Sequence, residues 1–100
     1  MKTYYNVVRF FKKNLPPNMP VKVRRVKLSD KLDGDCQHQV KHFLIRINRK
    51  FPEYYAIEVF LHEWAHALAW DETKDAHCDE WGKAYSKVYR MFLDNFFKDE

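Results

Sequence analysis

Apolar residues recur at helical spacing at the start of the chain and then alternate with polar residues. The first helix is predicted over residues 3–13, where the apolar positions are three and four apart: Tyr4, Val7, Val8 and Phe11. Prolines in residues 15–20 end this helix, because proline lacks a backbone donor and restricts the residue before it. A strand is predicted to begin at Val21, and a second strand over residues 40–48 has Phe43, Ile45 and Ile47 on one face.

The second half of the chain changes to a helical period. Residues after Pro52 predict a helix through Trp70. Between Tyr54 and Trp70 its only charged residues are Glu58 and Glu63, so it should be buried on most sides. A last helix is predicted over residues 79–97, with an apolar stripe formed by Trp81, Tyr85, Val88, Tyr89, Phe92 and Phe96. The order of helix, strand, strand, helix, helix predicts an α+β fold with a small antiparallel sheet packed on helices. We expect the strand at residues 40–48 to form the exposed edge of that sheet.

Length and composition limit the classes of protein to consider. The chain has 100 residues, of which 46% are hydrophobic, enough for one core; residues 1–100 are therefore predicted to form a single domain. It has no uninterrupted apolar run of the roughly 20 residues that a membrane span needs, and its beginning lacks a signal-like apolar stretch. Cys36 and Cys78 form no CxxC pair. We expect a cytoplasmic monomer with no membrane partner.

Charge is divided unequally between the two halves of the chain. Residues 1–50 contain 13 Lys and Arg against 3 Asp, whereas residues 51–100 contain 5 Lys and Arg against 11 Asp and Glu. A basic half is typical of proteins that bind nucleic acid or an acidic partner. The alternative is that these residues are the solvated faces of ordinary strands. The sequence leaves both interpretations open.

The sequence His62-Glu63-Trp64-Ala65-His66 is an HExxH motif inside the predicted buried helix. Residues four apart lie on one face of a helix, so both imidazoles can bind one zinc ion, and Glu63 can reach the water beside it. Metal binding also explains why a helix with apolar neighbours contains polar groups that are costly to bury. We therefore predict His62 and His66 as metal ligands and Glu63 as the catalytic base.

A catalytic zinc site normally has three protein ligands, so a third must come from elsewhere. His77, eleven residues after His66, is the leading candidate, and Asp79 and Glu80 are the alternatives. The longer HExxHxxGxxH motif is excluded, because Ala69 and Glu72 stand at its glycine and third histidine. His38 and His42 are expected to be exposed residues of the sheet.

These residues resemble the SprT-like metallopeptidase domain. The resemblance is carried by His62-Glu63-Trp64-Ala65-His66-Ala67 and by Asp75-Ala76-His77-Cys78-Asp79-Glu80-Trp81, and extends over roughly residues 40–92. It implies a zincin-like fold, one catalytic Zn²⁺ bound by His62, His66 and His77, and Glu63 as the catalytic carboxylate. Cys78-Asp79 replaces the usual Gly-Pro, and the four-cysteine ribbon of many members is absent from this sequence. A chain this short is similar to a minimal form from a bacterial or phage-infected cell.

The function expected from these residues is zinc-dependent endopeptidase activity, in which Glu63 activates the water that attacks a peptide bond. Three alternatives remain. A small gluzincin-like peptidase would use Glu80 or Asp79 as third ligand; a DNA-associated module would hold zinc without catalysis; an interaction domain would bind no metal. Tyr85 and Tyr89 are candidate oxyanion donors, although core packing explains each better. Arg46 and His42 are candidates to line the substrate cleft, and solvated side chains explain them equally well.

Overall fold

Three α-helices and a three-stranded sheet form the described part of the chain. The computed structural model describes residues 2–72 and 78–97, and these form an α+β fold. The elements in chain order are α1 (Lys2–Asn14), β1 (Val21–Val26), β2 (Gly34–His38), β3 (Phe43–Asn48), α2 (Glu53–Leu68), a 3₁₀ turn (Trp70–Glu72) and α3 (Asp79–Phe96). The three predicted helices are confirmed, each to within two residues at either end. No described helix is both long and apolar enough to cross a membrane.

The sheet differs from the antiparallel pair that the sequence predicts. Its strand order is β1-β3-β2, with β1 parallel to β3 and β2 antiparallel to β3, so the sheet is mixed. The prediction missed β2 because Gly34-Asp35-Cys36-Gln37-His38 has no alternation of apolar and polar residues. This strand is held by its backbone pairing with β3 across the hairpin of residues 39–42.

Strand β3 lies in the centre of the sheet, so the prediction that residues 40–48 form an exposed edge is wrong. Its residues Phe43, Ile45 and Ile47 are at most 1% exposed and face the helices, as the alternation predicts. A strand this apolar is stabilised by neighbours on both sides, which leaves β1 and β2 as the two edges. The edge nearer to the HExxH helix is β2, which packs directly against α2.

Helix α2 packs against the sheet and against both of the other helices. The side chain of Trp64 is fully buried, and its indole Nε1 donates a hydrogen bond of 2.9 Å to the carbonyl of Leu15, at the end of α1. Phe11 of α1 and Phe60 of α2 pack against the same indole. Burying such rings stabilises the fold by roughly 2–3 kcal/mol each, so α2 is the core element on which the sheet and the other helices assemble.

Strand β2 approaches α2 closely because Gly34 has no side chain. A Cβ atom at this position would lie 2.6 Å from the carbonyl oxygen of Arg46 and 2.8 Å from Cγ1 of Val59. Both distances are shorter than real Cβ contacts, and one of the atoms belongs to the backbone of β3. The glycine therefore fixes how near the start of β2 comes to the helix.

Asn48 holds the loop that leads into β2. Its side chain is 2% exposed, and its Nδ2 donates to the carbonyls of Ser29 at 3.1 Å and Leu32 at 3.0 Å. The backbone N–H of Asn48 donates to the carbonyl of Asp33 at 2.8 Å. Since a buried amide must satisfy its donors, this residue orders the loop that carries Lys31 and Asp33.

The two glycines of the chain give a matched test of this close approach. We expect Gly34→Ala to lower the free energy of unfolding by about 2 kcal/mol, because the added methyl group overpacks the contact between β2 and α2. Gly82→Ala, inside α3 where a Cβ atom would meet no atom of a described residue within 4 Å, should raise it by about 1 kcal/mol. Urea denaturation of both variants measures the difference. Equal effects at the two positions would contradict the close approach at Gly34.

Candidate active site

Helix α2 places His62 and His66 one turn apart on the same face, as the motif predicts. Their Nε2 atoms lie 3.2 Å apart, and their ring centroids lie 4.9 Å apart. Both rings are partly exposed, whereas the apolar residues around them in the helix are buried. The Nε2 atoms of the two histidines therefore lie close enough together to contact one bound ion at the surface of the helix.

The separation of the two nitrogen atoms fits a zinc ion. Ligand nitrogens about 2.0–2.1 Å from a tetrahedral zinc lie roughly 3.3 Å from each other, close to the observed 3.2 Å. Imidazole is also the side chain that zinc binds most readily among nitrogen donors. His62 and His66 thus match two of the positions around such an ion.

The predicted third ligand, His77, lies outside the described residues. The alternatives Asp79 and Glu80 are described and exposed at the start of α3, where Glu80 Oε1 accepts a hydrogen bond of 3.3 Å from Cys78 Sγ. Within residues 2–72 and 78–97, no group of three or more His, Cys, Asp or Glu side chains is placed to hold a metal. The described carboxylates therefore do not join the histidine pair, and the assignment of His77 stays a prediction.

Glu63 is buried beside the histidines. Its side chain is 7% exposed and accepts no hydrogen bond from any described residue. Burial, and to a lesser degree the charge of Asp35, raises the pKa of Glu63 from its ordinary value of 4.5 to about 7. A carboxyl group with this pKa can both accept and donate a proton near neutral pH, which is what a general base that later acts as an acid requires.

Aromatic rings of α3 cover the histidine pair. The Trp81 ring lies 5.0 Å from the ring of His62 and 5.3 Å from that of His66, and Tyr85 stacks on Trp81 at 4.9 Å with an angle of 11°. The sequence placed Trp81 and Tyr85 on an apolar stripe, which predicts packing but not this position. The stack packs on one side of the imidazole rings, which stay partly exposed.

A cavity of about 450 Å³ opens beside His62 and Glu63. It lies between α2, the start of β2 and α3, and its lining residues are Lys31, Asp33, Gly34, Tyr55, Glu58, Val59, His62, Glu63 and Tyr85. A cavity of this size, lined by a buried carboxylate and by one imidazole of the histidine pair, is typical of a ligand-binding or catalytic cleft. The candidate site is therefore a cleft along one face of α2.

Several cleft residues were not predicted as site residues. The sequence could have indicated Glu58 as a cleft residue, because it precedes His62 by four positions and so shares its helix face. Nothing in the sequence pattern indicates Asp33 or Lys31 as cleft residues, because it is the path of a loop that brings them over the helix. Tyr85 and Tyr89 both pack against the core, as predicted; Tyr85 also lines the cleft, and the hydroxyl of Tyr89 donates to Glu58 Oε2 at 2.9 Å.

Other sequence candidates lie away from the cleft. Arg46 does not line it, because its side chain lies on the opposite face of the sheet and forms an ion pair with Asp35. His42 lies in the hairpin between β2 and β3 and does not line it either. His38, at the end of β2, is exposed and packs its ring on Phe43 and Trp70.

The chain matches no protein-family model, no curated protein and no solved structure. The resemblance to the SprT-like domain therefore rests on the motif residues themselves.

The raised pKa of Glu63 predicts how the stability of the metal-free chain depends on pH. Between pH 4.5 and 7 the folded chain binds more protons than the unfolded chain, so the contribution of Glu63 to stability falls as the pH rises. The shift corresponds to about 3 kcal/mol. We expect Glu63→Gln, measured by urea denaturation with a chelator present, to be more stable than the wild type at pH 8 and to lose this advantage towards pH 4.5.

Asp94→Asn, at an exposed carboxylate of α3, is the matched control for the loss of one negative charge. The prediction is contradicted if the free energy of unfolding of Glu63→Gln exceeds that of the wild type by the same amount at pH 8 and at pH 4.5. The buried carboxylate would then not titrate in this range.

Proposed function

We propose that the chain is a zinc-dependent endopeptidase, a minimal SprT-like domain of zincin type spanning residues 1–100. The observation that carries this proposal is the pair of Nε2 atoms 3.2 Å apart with the buried carboxylate of Glu63 beside them in a cleft. A purely structural zinc site is usually closed by four protein ligands, often cysteines, and the HExxH arrangement leaves room for substrate instead.

In this proposal His62 and His66 hold the metal, with His77 as the third ligand. When bound, zinc supplies a Lewis acid that lowers the pKa of water and polarises the carbonyl of the scissile bond. The Trp81 ring, packed against both imidazoles, keeps them in the orientation that ligation needs. Two alternative third ligands, Asp79 and Glu80, would make the site gluzincin-like.

Glu63 moves the proton. Its carboxylate accepts a proton from the attacking water and then donates it to the amine that leaves, so one side chain acts first as base and then as acid. In the metal-free chain burial raises the pKa of Glu63 to about 7, and the positive charge of a bound zinc ion would lower it and so favour the carboxylate that accepts the proton. Tyr85 lines the same cleft, and its hydroxyl, which bonds to no described residue, is the candidate donor to the developing oxyanion.

The outer edge of β2 is the proposed binding surface for the peptide backbone. This strand pairs with β3 on one side only, so within the described residues its other side presents unpaired backbone groups next to α2. An extended peptide can add to such an edge as a further strand, which would lay it along the cleft. The substrate is therefore proposed to be an unfolded or extended segment of protein.

Replacing Glu63 separates catalysis from metal binding. We expect Glu63→Gln to keep a zinc content near one per chain while its cleavage of an unfolded protein falls by about 1,000-fold, because the proton acceptor is lost and the ligands are not. His62→Ala should lose both zinc and activity. Retention of activity by Glu63→Gln would refute the mechanism. Zinc content of His77→Ala, compared with Glu80→Gln and Asp79→Asn, identifies the third ligand.

A second function, contact with nucleic acid, is favoured by the position of basic side chains. Lys22 and Arg24 of β1 lie on the sheet face that points away from α2, and Arg9 and Lys12 of α1 line a groove beside Val23 of the same strand. No described carboxylate forms an ion pair with any of these four cations. We propose this edge, formed by Arg9, Lys12, Lys22 and Arg24, as a surface that binds the phosphates of DNA.

Salt dependence tests the proposed DNA surface. We expect the affinity for duplex DNA to fall steeply with salt, and the double variant Lys22→Glu/Arg24→Glu to reduce the slope of log affinity against log salt by about two. Lys83→Glu/Lys87→Glu, the same charge change on exposed positions of α3, is the matched control. Absence of binding at low salt, or equal effects of the two double variants, would exclude this surface.

A further inference from the structure

Two carboxylates from different elements face the cleft beside the proposed catalytic group. Glu58 lies on α2, one helical turn before His62, and Asp33 comes from the loop before β2. Neither is needed for the proposed metal site or for proton transfer. Their presence in the wall of the cleft therefore requires another explanation.

Each carboxylate is held by a tyrosine through one oxygen only. The Tyr89 hydroxyl donates to Glu58 Oε2 at 2.9 Å, and the Tyr55 hydroxyl donates to Asp33 Oδ2 at 2.8 Å. The other oxygens, Glu58 Oε1 and Asp33 Oδ1, accept no hydrogen bond from any described residue. The two groups are thus oriented but keep one acceptor each for a ligand.

Glu58 and Asp33 line the same cavity. The hydrogen bond to Asp33 and the charge of Asp33 are the main causes that raise the pKa of Tyr55, and the charge of Glu58 adds to them. Burial raises the pKa of Tyr85, on the far wall of the cleft, and the charge of Glu58 again adds to it. Glu63, 7% exposed and without a hydrogen bond to any described residue, lines the same cavity. The wall of the cleft therefore contains three carboxyl groups, and none of them forms an ion pair with a described cation.

The remaining surfaces of the cleft suit a long aliphatic stem. Val59 and the ring of Tyr85 are apolar, and the backbone of Gly34, which has no side chain, lies in the same wall. A lysine or arginine side chain has such a stem and ends in a cation, so it can cover apolar walls and place its charge against carboxylates. Lys31, the cation at the rim, is exposed and forms no ion pair with a described carboxylate.

We propose that this cavity is the specificity subsite of the peptidase and takes a lysine or arginine side chain of the substrate, whose cation binds Glu58 Oε1 and Asp33 Oδ1. The inference rests on the proposed endopeptidase function. It names the substrate class as extended peptide segments with a basic residue next to the scissile bond.

The test uses the zinc-loaded full chain and peptides that differ at a single position, occupied by Lys, Arg, norleucine or Glu, on either side of the scissile bond. We expect Lys and Arg peptides to have kcat/KM at least ten times that of the norleucine peptide. Glu58→Gln, which keeps an acceptor for Tyr89 and loses the charge, should lower this ratio about tenfold. Asp94→Asn, outside the cleft, should leave the ratio unchanged. Cleavage without a basic preference, or equal ratios in both variants, overturns the subsite.

Binding of n-butylguanidinium to the metal-free chain gives a readout that does not depend on activity. We expect amide chemical shifts to change at Val59 and Tyr85 in the wild type, and not in Glu58→Gln; n-butanol is the neutral control. If this binding is seen while no peptide is cleaved, the endopeptidase proposal fails, and the cavity is left as a site that binds a basic side chain without cleavage. If peptides are cleaved without preference and the guanidinium does not bind, the endopeptidase proposal stands and the proposed subsite is overturned.

Discussion

Helix α2 is buried on most of its surface and yet contains two histidines and a glutamate in its C-terminal half, and the elements packed around it accommodate these polar groups. Nine of its residues are buried, among them the fully enclosed Trp64, so the helix cannot turn its polar face fully to solvent. Burial of Glu63 is costly without a partner, as its raised pKa records. A buried carboxyl group without a partner is costly unless it has a role in a site, and this cost is the physical basis for the function proposed for this helix.

The packing around α2 converts that polar face into a cleft. Gly34 lets β2 approach the helix, Asn48 orders the loop that carries Asp33, and α3 brings Trp81 and Tyr85 over the histidines. Each of these contacts comes from a different part of the chain. Together they enclose the carboxylate and the imidazoles without covering the edge of β2, so that a peptide would have a route along the helix.

The structure also shows where the acidic and basic side chains of the two halves of the sequence lie. Acidic side chains of both halves meet in the cleft, because Asp33 of the basic half lies beside Glu58 and Glu63 of the acidic half. Basic side chains gather instead at the β1 edge and on α1. The two proposed surfaces, one for a basic peptide side chain and one for phosphates, are therefore of opposite charge and lie on different elements.

The sequence by itself determined the three helices, the two apolar strands and the pairing of His62 with His66, because periods of 3.6 and 2 residues and an i, i+4 spacing are local properties of the backbone. It did not predict β2, whose five residues have no apolar alternation and are held by pairing with β3. It also did not predict the parallel pairing of β1 or the central place of β3, since these depend on which strands meet after the chain crosses over. The wall formed by Asp33, Glu58 and Tyr85 was decided only by the tertiary structure, because it joins a loop and two helices through contacts between residues far apart in sequence.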